Sequence, residues 1–268
     1  MTDRPVLAFA HRGGAYHPEI EGLENTLAAF EHAVALGYRH LETDVHVTRD
    51  GVLLAFHDAV LDRVTDREGA IAELTLAEVR AARIAHVDGA SHHQVPTLAE
   101  LFDAFPDATF NIDLKAPGAV PALATFLDER RAHDRVVVGS FSVDHLRAFR
   151  RATGGRVRTS AHPLEVAAYL LSPSVRLARR LVGDEFVAFQ VPRDRVVRGL
   201  RVPIVTRRFV ERAHRADKQV HVWTIDDPAQ MRELLDLGVD GLMTDRTDLL
   251  KEVLVERGQW PTGGNDPA

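Results

Sequence analysis

The sequence predicts a closed (β/α)8 barrel, the TIM-barrel fold, and the prediction depends on the order and number of its elements. Short β-branched segments alternate with amphipathic helical segments along most of the 268 residues, a pattern typical of parallel sheets. Eight strand-like segments within roughly 250 residues favour a closed barrel over an open sheet. An apolar content of 45% is enough to fill the core of one such domain.

The predicted strands and helices follow one another with little between them. The strands are residues 6–10, 39–45, 109–114, 135–141, 157–161, 186–191, 219–225 and 241–245. Helical segments lie at 26–37, 120–132, 143–153, 207–217, 227–238 and 246–258. The first and fifth of these end on Gly37 and Gly238, and glycine is the residue expected just past a helix C-terminus.

One segment, residues 58–108, interrupts this alternation. It contains a helical stretch at 74–84 and a second helix that opens at Pro96 and Thr97. We therefore predict a single domain over residues 1–268, with a small helical insertion at about 58–108, after the second barrel strand and its hairpin. The glycine- and proline-rich end, residues 258–268, is predicted to be a flexible tail.

Composition excludes several classes of protein. The net charge of −6 gives no reason to expect a nucleic-acid partner. With no cysteine, the chain has no disulfide framework, zinc–thiolate site or cysteine nucleophile. The N-terminus lacks the features of a signal peptide, and no apolar run approaches the roughly 18 residues of a membrane span. We expect a cytoplasmic protein, and the sequence leaves its oligomeric state open.

Polar residues cluster at the predicted C-terminal ends of the strands, where barrel enzymes carry their reactive groups. The first strand ends in His11 and Arg12, and the second carries Glu42 and Asp44. Later strands contribute Asp113, Lys115, Ser140, Ser142, His162, Gln190, Trp223 and Asp245. Groups of opposite charge are thus expected to converge on one face of the barrel. Gly13 and Gly14 are expected to let the backbone pass close to a bound anion.

A hairpin is predicted to bring a second histidine to this face. Asp50-Gly51 is a strong two-residue turn signal. With these two residues at the turn, Asp44 falls opposite His57, and Glu42, Asp44 and His57 share one patch. A shift of one residue would move His57 to the other face of the hairpin.

Structural interpretations of the same residues stay open at this point. A single histidine at a strand end is more often a capping or solvent-bridging residue. Lys115 could be a simple ion-pair partner of Asp113, and Trp223 could be either a core residue or part of the mouth. Two carboxylates on an inward strand face are costly unless they are paired or bind a metal. Glu42 and Asp44 therefore suit a metal better than a solvated surface.

Six short motifs, in this order and spacing, resemble those of the glycerophosphodiester phosphodiesterases. They are HRGG (11–14), ENT (24–26), ETDVHVTRDG (42–51), FHD (56–58), NIDLK (111–115) and VWTID (222–226). Each is weak alone, but together they are specific, and the resemblance extends from about Val6 to Glu252. The family has a (β/α) barrel with a helical insertion after the strand that carries the HD pair.

The resemblance implies hydrolysis of a glycerophosphodiester to glycerol 3-phosphate and an alcohol, through a cyclic phosphate. It implies catalytic roles for His11 and His57, substrate and phosphate binding by Arg12, Lys115 and Trp223, and metal binding by Glu42, Asp44 and Asp113. At the position of Asp113 the family commonly has glutamate, and the aspartate here is one methylene shorter. Hard oxygen ligands predict one divalent cation, Mg²⁺ or Ca²⁺.

Three rival functions remain. The chain could be a lysophospholipase D or a cyclising phosphodiesterase acting at a membrane surface, because residues 163–182 combine apolar residues with arginines. We favour the interpretation in which this segment packs on the barrel, which makes membrane contact unexpected. An inactive phosphate-binding barrel would lack a histidine or a carboxylate of the set, and none is missing. A glycosidase is disfavoured because Glu42 and Asp44, on one strand, cannot flank a bond from two sides.

Overall fold

A computed structural model describes residues 6–197 and 199–260, and over these ranges the chain forms the predicted barrel. Its parallel strands are β1 (Leu7–His11), β2 (His40–Val47), β3 (Thr109–Leu114), β4 (Val136–Gly139), β5 (Arg158–Thr159), β6 (Ala188–Pro192), β7 (Gln219–Trp223) and β8 (Gly241–Thr244). Consecutive strands are neighbours from β1 to β5, β6 pairs with β7 and β7 with β8, and β8 pairs with β1. Each predicted strand segment overlaps one of the eight.

The barrel closes at a seam between β5 and β6, and this seam has few main-chain hydrogen bonds. One isolated bridge joins Ser160 and Ala188. Next to it, the buried Arg150 side chain donates from Nε to Thr159 Oγ1 (2.9 Å) and from Nη2 to the Ser160 carbonyl (3.1 Å). Its charge is balanced by Glu165, whose Oε1 lies 2.7 Å from Nη1. The Arg150 side chain thus supplies hydrogen bonds at a place where the short β5 strand has few main-chain partners.

Helices cover the outside of the barrel. They are α1 (Leu27–Ala35), α2 (Leu76–Val79), α3 (Leu98–Ala104), α4 (Ala119–Arg130), α5 (Val143–Ala152), α6 (Pro163–Leu171), α7 (Val175–Val182), α8 (Arg207–His214), α9 (Pro228–Leu237) and α10 (Thr247–Glu256). Local capping sets several of their starts. In α3, for example, Thr97 Oγ1 accepts the Glu100 N–H, and the Glu100 carboxylate accepts the Thr97 N–H.

The predicted insertion has a small core of its own. Its apolar side chains pack with residues from the loop after β1, in a cluster separate from the barrel core: Ile20, Leu23, Ala29, Leu54, Phe56, Leu61, Ile71, Val79, Ala82, Ile84 and Val95. A short antiparallel pair, Ile84–Ala85 with His92–His93, lies within it. Helix α3 instead buries Leu98, Leu101 and Phe102 in the barrel core, so only the earlier part of 58–108 builds the separate core.

The register predicted for the hairpin after β2 is wrong by one residue. The partner strand is Leu53–Ala55, and it pairs Val45 with Ala55, so Asp44 lies level with Phe56 and not with His57. The loop contains three residues, 49–51, and Gly51 adopts a φ of 86°. This is the three-residue hairpin loop that ends in a left-handed glycine. His57 follows the end of the strand and reaches the mouth of the barrel from there.

The segment at residues 163–182, which combines apolar residues with arginines, is helical. Residues 163–182 form α6 and α7, which bury Tyr169 and Ala178 against the barrel and leave Leu171 and Leu181 exposed. Among the helices of the described ranges, none combines the length and the apolar character needed to cross a membrane.

Of the predicted tail, residues 261–268 lie outside the described residues. Trp260 packs edge-on against Tyr38, with ring centroids 5.1 Å apart.

A buried histidine makes the stability of the barrel depend on pH. His221 on β7 is almost fully buried beside Phe9, and burial together with nearby His40 lowers its pKa to about 3. Because the unfolded chain binds a proton near pH 6.5 and the folded chain does not, the stabilisation is complete above pH 6.5 and is lost as pH falls toward 3.

We expect this effect in urea unfolding at pH 7.5 and 5.5. Wild-type protein should lose about 1–1.5 kcal/mol more unfolding free energy between these pH values than His221→Gln does, from about 1.4 kcal/mol per pH unit below pH 6.5. His92→Gln, at an exposed position, should keep the wild-type slope. Equal slopes for wild type and His221→Gln would show that His221 is not held neutral.

Candidate active site

The turn after β1 orients the first two candidate residues. Arg12, Gly13 and Gly14 all have positive φ values, of 51°, 87° and 89°, and reverse the chain immediately after the strand. A Cβ on Gly13 would lie 2.7 Å from the Cβ of Ala29, and one on Gly14 would lie 2.5 Å from Cγ2 of Thr247. The glycines are therefore required by the turn and by close packing against α1 and α10.

The N–H groups of both glycines are used within this turn, and the close approach of the backbone to a bound anion stays a prediction. The Gly13 N–H donates to the Ala10 carbonyl (3.3 Å) and the Gly14 N–H to the His11 carbonyl (2.8 Å). Both groups are thus engaged within the turn and do not point at a ligand. The tight turn instead places Arg12 beside β2, where its own N–H donates to the Glu42 carbonyl (3.0 Å).

His11 lies between two carboxylates. Its Nδ1 is 2.9 Å from Oδ1 of Asp245, and its Nε2 is 3.8 Å from Oε2 of Glu42. Burial alone would lower the pKa of His11, but Glu42 and Asp245 outweigh burial and raise the pKa to about 9. The imidazole is therefore protonated at neutral pH, and Asp245, at the end of β8, fixes its orientation.

Three carboxylates lie together on β2 and β3, of which Glu42 and Asp44 are buried and Asp113 is partly buried. Asp44 is the direct parallel partner of Asp113, and Glu42 lies two residues before Asp44 on the same face of β2. Burial first, and then the charge of Asp44, raises the pKa of Glu42 to about 7. Burial, followed by the charge of Asp44, also raises the pKa of Asp113 against the opposing effect of Lys115. Burial and mutual repulsion thus make it costly to keep all three carboxylates ionised together.

Two cationic side chains, Lys115 and Arg12, contact different oxygens of Asp44. Lys115 Nζ lies 2.6 Å from Oδ2 of Asp113 and 2.9 Å from Oδ1 of Asp44. Arg12 Nε lies 3.1 Å from Oδ2 of Asp44. Burial opposes ionisation of Asp44, but Lys115, Arg12 and His57 prevail and lower its pKa. The structure therefore brings His11, Arg12, Glu42, Asp44, Asp113 and Lys115 together, with His57 near enough to act on Asp44.

His57 is tied to the rest of the site through residues that the sequence analysis did not select. Its Nδ1 is 2.6 Å from Oδ1 of Asp58. Arg63, in the insertion, donates from Nε to Oδ2 of Asp58 (2.5 Å) and from Nη1 and Nη2 to the two oxygens of Glu24 (2.8 and 2.7 Å). Glu24 in turn lies 3.3 Å from Nη1 of Arg12. We call this chain of contacts, His57–Asp58–Arg63–Glu24–Arg12, the Arg63 bridge.

The other strand-end residues have different environments. Trp223 is partly buried and packs edge-on with the exposed Phe141 at 5.5 Å. Ser142 and His162 cap α5 and α6, and Ser140 donates to the Leu114 carbonyl. Gln190 donates to Oδ1 of Asn111 inside the barrel. Apart from Trp223, these side chains serve the fold.

The amino-acid sequence matches the model of a known protein family. The model of the glycerophosphoryl diester phosphodiesterase family matches residues 11–249, which is most of the chain. The chain belongs to this family.

Relatives and solved structures agree with this membership in the glycerophosphoryl diester phosphodiesterase family. The chain is 38% identical over 259 residues to probable glycerophosphodiester phosphodiesterase 2 of Mycobacterium tuberculosis, covering 95% of this chain and 92% of the relative. It is 26% identical to a lysophospholipase D of Rattus norvegicus, covering 91% and 85%. A crystal structure of a putative glycerophosphoryl diester phosphodiesterase from Silicibacter pomeroyi superposes with a TM-score of 0.77 at 25% identity, covering 96% and 95%. The predictions of a (β/α)8 barrel and of an enzyme of this family are confirmed.

The carboxylates Glu42, Asp44 and Asp113 fit a divalent cation by their chemistry. Burial, and then the charge of Asp44, makes ionised Glu42 costly without a nearby cation, and three carboxylates are hard ligands for Mg²⁺ or Ca²⁺. Within the described residues, a different group, His17, Glu19 and His32, has its ligand atoms all within 4.8 Å of one another. In the structure, Asp44 forms ion pairs with Arg12 and Lys115, and Asp113 forms one with Lys115.

Proposed function

We propose that the chain hydrolyses glycerophosphodiesters to sn-glycerol 3-phosphate and an alcohol. The observation that carries this proposal is the convergence of His11, Arg12, Lys115 and three carboxylates at the C-terminal ends of β1, β2 and β3, with His57 beside them. The family membership and the name of the 38%-identical relative support the same substrate class.

Arg12 and Lys115 suit the binding of a phosphodiester. The substrate is an anion, and negative charge builds on its non-bridging oxygens in the transition state. A guanidinium offers two parallel donors to such oxygens, and an ammonium offers a compact charge. Substrate would draw both groups away from Asp44 and Asp113. Glu42, Asp44 and Asp113 would then hold the divalent cation, which supplies Lewis-acid neutralisation of the phosphate when bound.

Two histidines suit the proton transfers. In the first step the neighbouring glycerol hydroxyl would lose its proton to a base and form a bond to phosphorus. The bond from phosphorus to the alcohol oxygen would break, and that oxygen would take a proton. His11, with a pKa of about 9, is protonated at neutral pH and suits the acid that protonates the leaving oxygen. His57 is left as the base, and water would open the cyclic phosphate with the roles exchanged.

The test is release of sn-glycerol 3-phosphate from glycerophosphocholine by purified protein, with Mg²⁺, with Ca²⁺ and with a chelator. We expect release that requires one of the two cations and stops when it is chelated. A variant with Glu42→Gln should need a higher cation concentration for half-maximal rate. Absence of release with either cation would contradict the proposed substrate, and full activity after exhaustive chelation would contradict the cation requirement.

A lysophospholipase D activity is the second candidate, because two aromatic side chains lie exposed on the mouth side of the barrel. Phe141 follows β4 and Tyr16 lies in the loop after β1, with exposures of 63% and 59%. They could contact the acyl chain of a lysolipid. The assay with lysophosphatidylcholine in place of glycerophosphocholine distinguishes the two. A higher kcat/KM for the lysolipid, reduced by Phe141→Ser, would favour this candidate.

A further inference from the structure

A second group of possible metal ligands lies apart from the carboxylates, on the loop that joins β1 to α1. It consists of His17 and Glu19 on the loop and His32 on α1, and their ligand atoms lie within 4.8 Å of one another. His32 Nε2 is 3.2 Å from Oε2 of Glu19, and the rings of His17 and His32 have centroids 4.1 Å apart. We call these three residues the loop triad.

The donor atoms of the loop triad differ in kind from those of the catalytic carboxylates. Two imidazole nitrogens and one carboxylate oxygen suit Zn²⁺, Co²⁺ or Ni²⁺, whereas Mg²⁺ and Ca²⁺ take oxygen ligands almost exclusively. Three protein ligands with an open side toward solvent are also the usual number for a zinc site that keeps a water. Glu19 is 76% exposed as a side chain, so this open side exists.

The imidazole of His17 can present a lone pair at low cost. Burial, followed by the proximity of His32, lowers the pKa of His17, so this ring is neutral at pH 7. Its Nδ1 accepts one short-range hydrogen bond, from the backbone N–H of Glu19 (3.1 Å). Between His32 and Glu19 the cation would take the place of the 3.2 Å hydrogen bond.

We propose that His17, Glu19 and His32 form a binding site for one Zn²⁺-class cation on the rim of the barrel mouth, separate from the catalytic cation. The site would fasten the loop to α1. This loop begins at Arg12 and ends at Glu24 and Asn25, and the Asn25 N–H donates to the Arg12 carbonyl (2.9 Å). A cation here would therefore hold in place the segment that carries the phosphate-binding arginine.

Binding of Co²⁺ and Zn²⁺ to the full chain tests the proposal directly, without an activity readout. Metal-free protein is titrated with Co²⁺ by visible absorption and with Zn²⁺ by calorimetry. The variants are His32→Gln, which changes a partly exposed position, His92→Gln as a matched histidine control outside the triad, and Glu42→Gln to impair the carboxylate site. Circular dichroism confirms that each variant is folded.

We expect one site with nitrogen ligation in wild type, retained in His92→Gln and in Glu42→Gln, with affinity reduced at least about tenfold in His32→Gln. Equal affinity in wild type and His32→Gln would overturn the proposal. Loss of the same site in Glu42→Gln would also overturn it, because the ion would then occupy the catalytic carboxylates. Neither result bears on glycerophosphodiester hydrolysis, which the product assay tests independently.

Discussion

Replacing His57 by glutamine is expected to lower kcat by about 10²–10⁴-fold, the contribution of one well-positioned general acid or base. The side chain is about one-third exposed, so its loss should leave the fold intact. His57 also has a fixed orientation, because Asp58 contacts its Nδ1. This contact leaves Nε2 as the ring nitrogen for the proposed proton transfer. Glutamine keeps a polar group of similar reach but cannot exchange a proton near neutral pH.

The measurement is kcat and KM for glycerophosphocholine under saturating cation, with His92→Gln as the control. We expect KM within a few-fold of wild type, since phosphate binding is assigned to Arg12 and Lys115. The analogous change at His11 should reduce kcat similarly, and an alcohol with a low pKa as leaving group should recover part of that loss, because a good leaving group needs less help from an acid. A near wild-type kcat in His57→Gln would exclude His57 from proton transfer.

Replacing Arg63 by glutamine is expected to lower kcat/KM by about 10–10²-fold, although Arg63 touches none of the groups assigned to substrate. It acts as a positioning residue. Through Asp58 it holds His57, and through Glu24 it holds Arg12. Removing it leaves two carboxylates without their shared cation. A loss of this size matches the cost of misplacing a reacting group by about 1 Å.

The two arms of the Arg63 bridge predict separable kinetic effects. Asp58→Asn should reduce mainly kcat, through His57, and Glu24→Gln should raise mainly KM, through Arg12. Arg63→Gln should do both, and the double variant Arg63→Gln with Asp58→Asn should lose less than the product of the single losses, since both break one contact chain. Arg67→Gln, an exposed arginine of the same insertion, is the control. Full additivity, or an unchanged kcat in Arg63→Gln, would contradict the positioning role.

The barrel was predictable because each of its strands is a short buried run with β-branched residues, and each helix between them has a readable end. The polar residues at the ends of β1, β2 and β3 were predictable for the same reason. Parallel strands bring their C-terminal ends to one edge, so sequence position alone implies that His11, Glu42 and Asp113 converge. The sequence also indicated Asp245 as a strand-end residue, but it did not indicate that Asp245 contacts His11.

The hairpin register and the Arg63 bridge were not predictable, because both depend on contacts with the insertion. Asp50 accepts a hydrogen bond from the Thr48 hydroxyl (2.6 Å) and another from the Leu76 N–H (3.0 Å). These contacts select a three-residue loop over the two-residue turn that Asp-Gly favours by itself. Likewise, nothing local assigns Arg63 to Glu24, 39 positions away. An arginine near the HD pair was the only available signal.

The strands β5 and β6 are joined by one isolated bridge, whereas continuous hydrogen-bonded ladders join the other neighbouring strands of the barrel. In a ring of eight strands the seam lies across from β1 and β2, which carry His11, Arg12, Glu42 and Asp44 and are joined by a continuous ladder. Amide protons at the seam, such as those of Ala161 and Val187, should therefore exchange with solvent sooner than those of β2. Local opening of the barrel is therefore expected to begin on the side away from His11, Arg12, Glu42 and Asp44, and to leave the spacing of these four side chains unchanged.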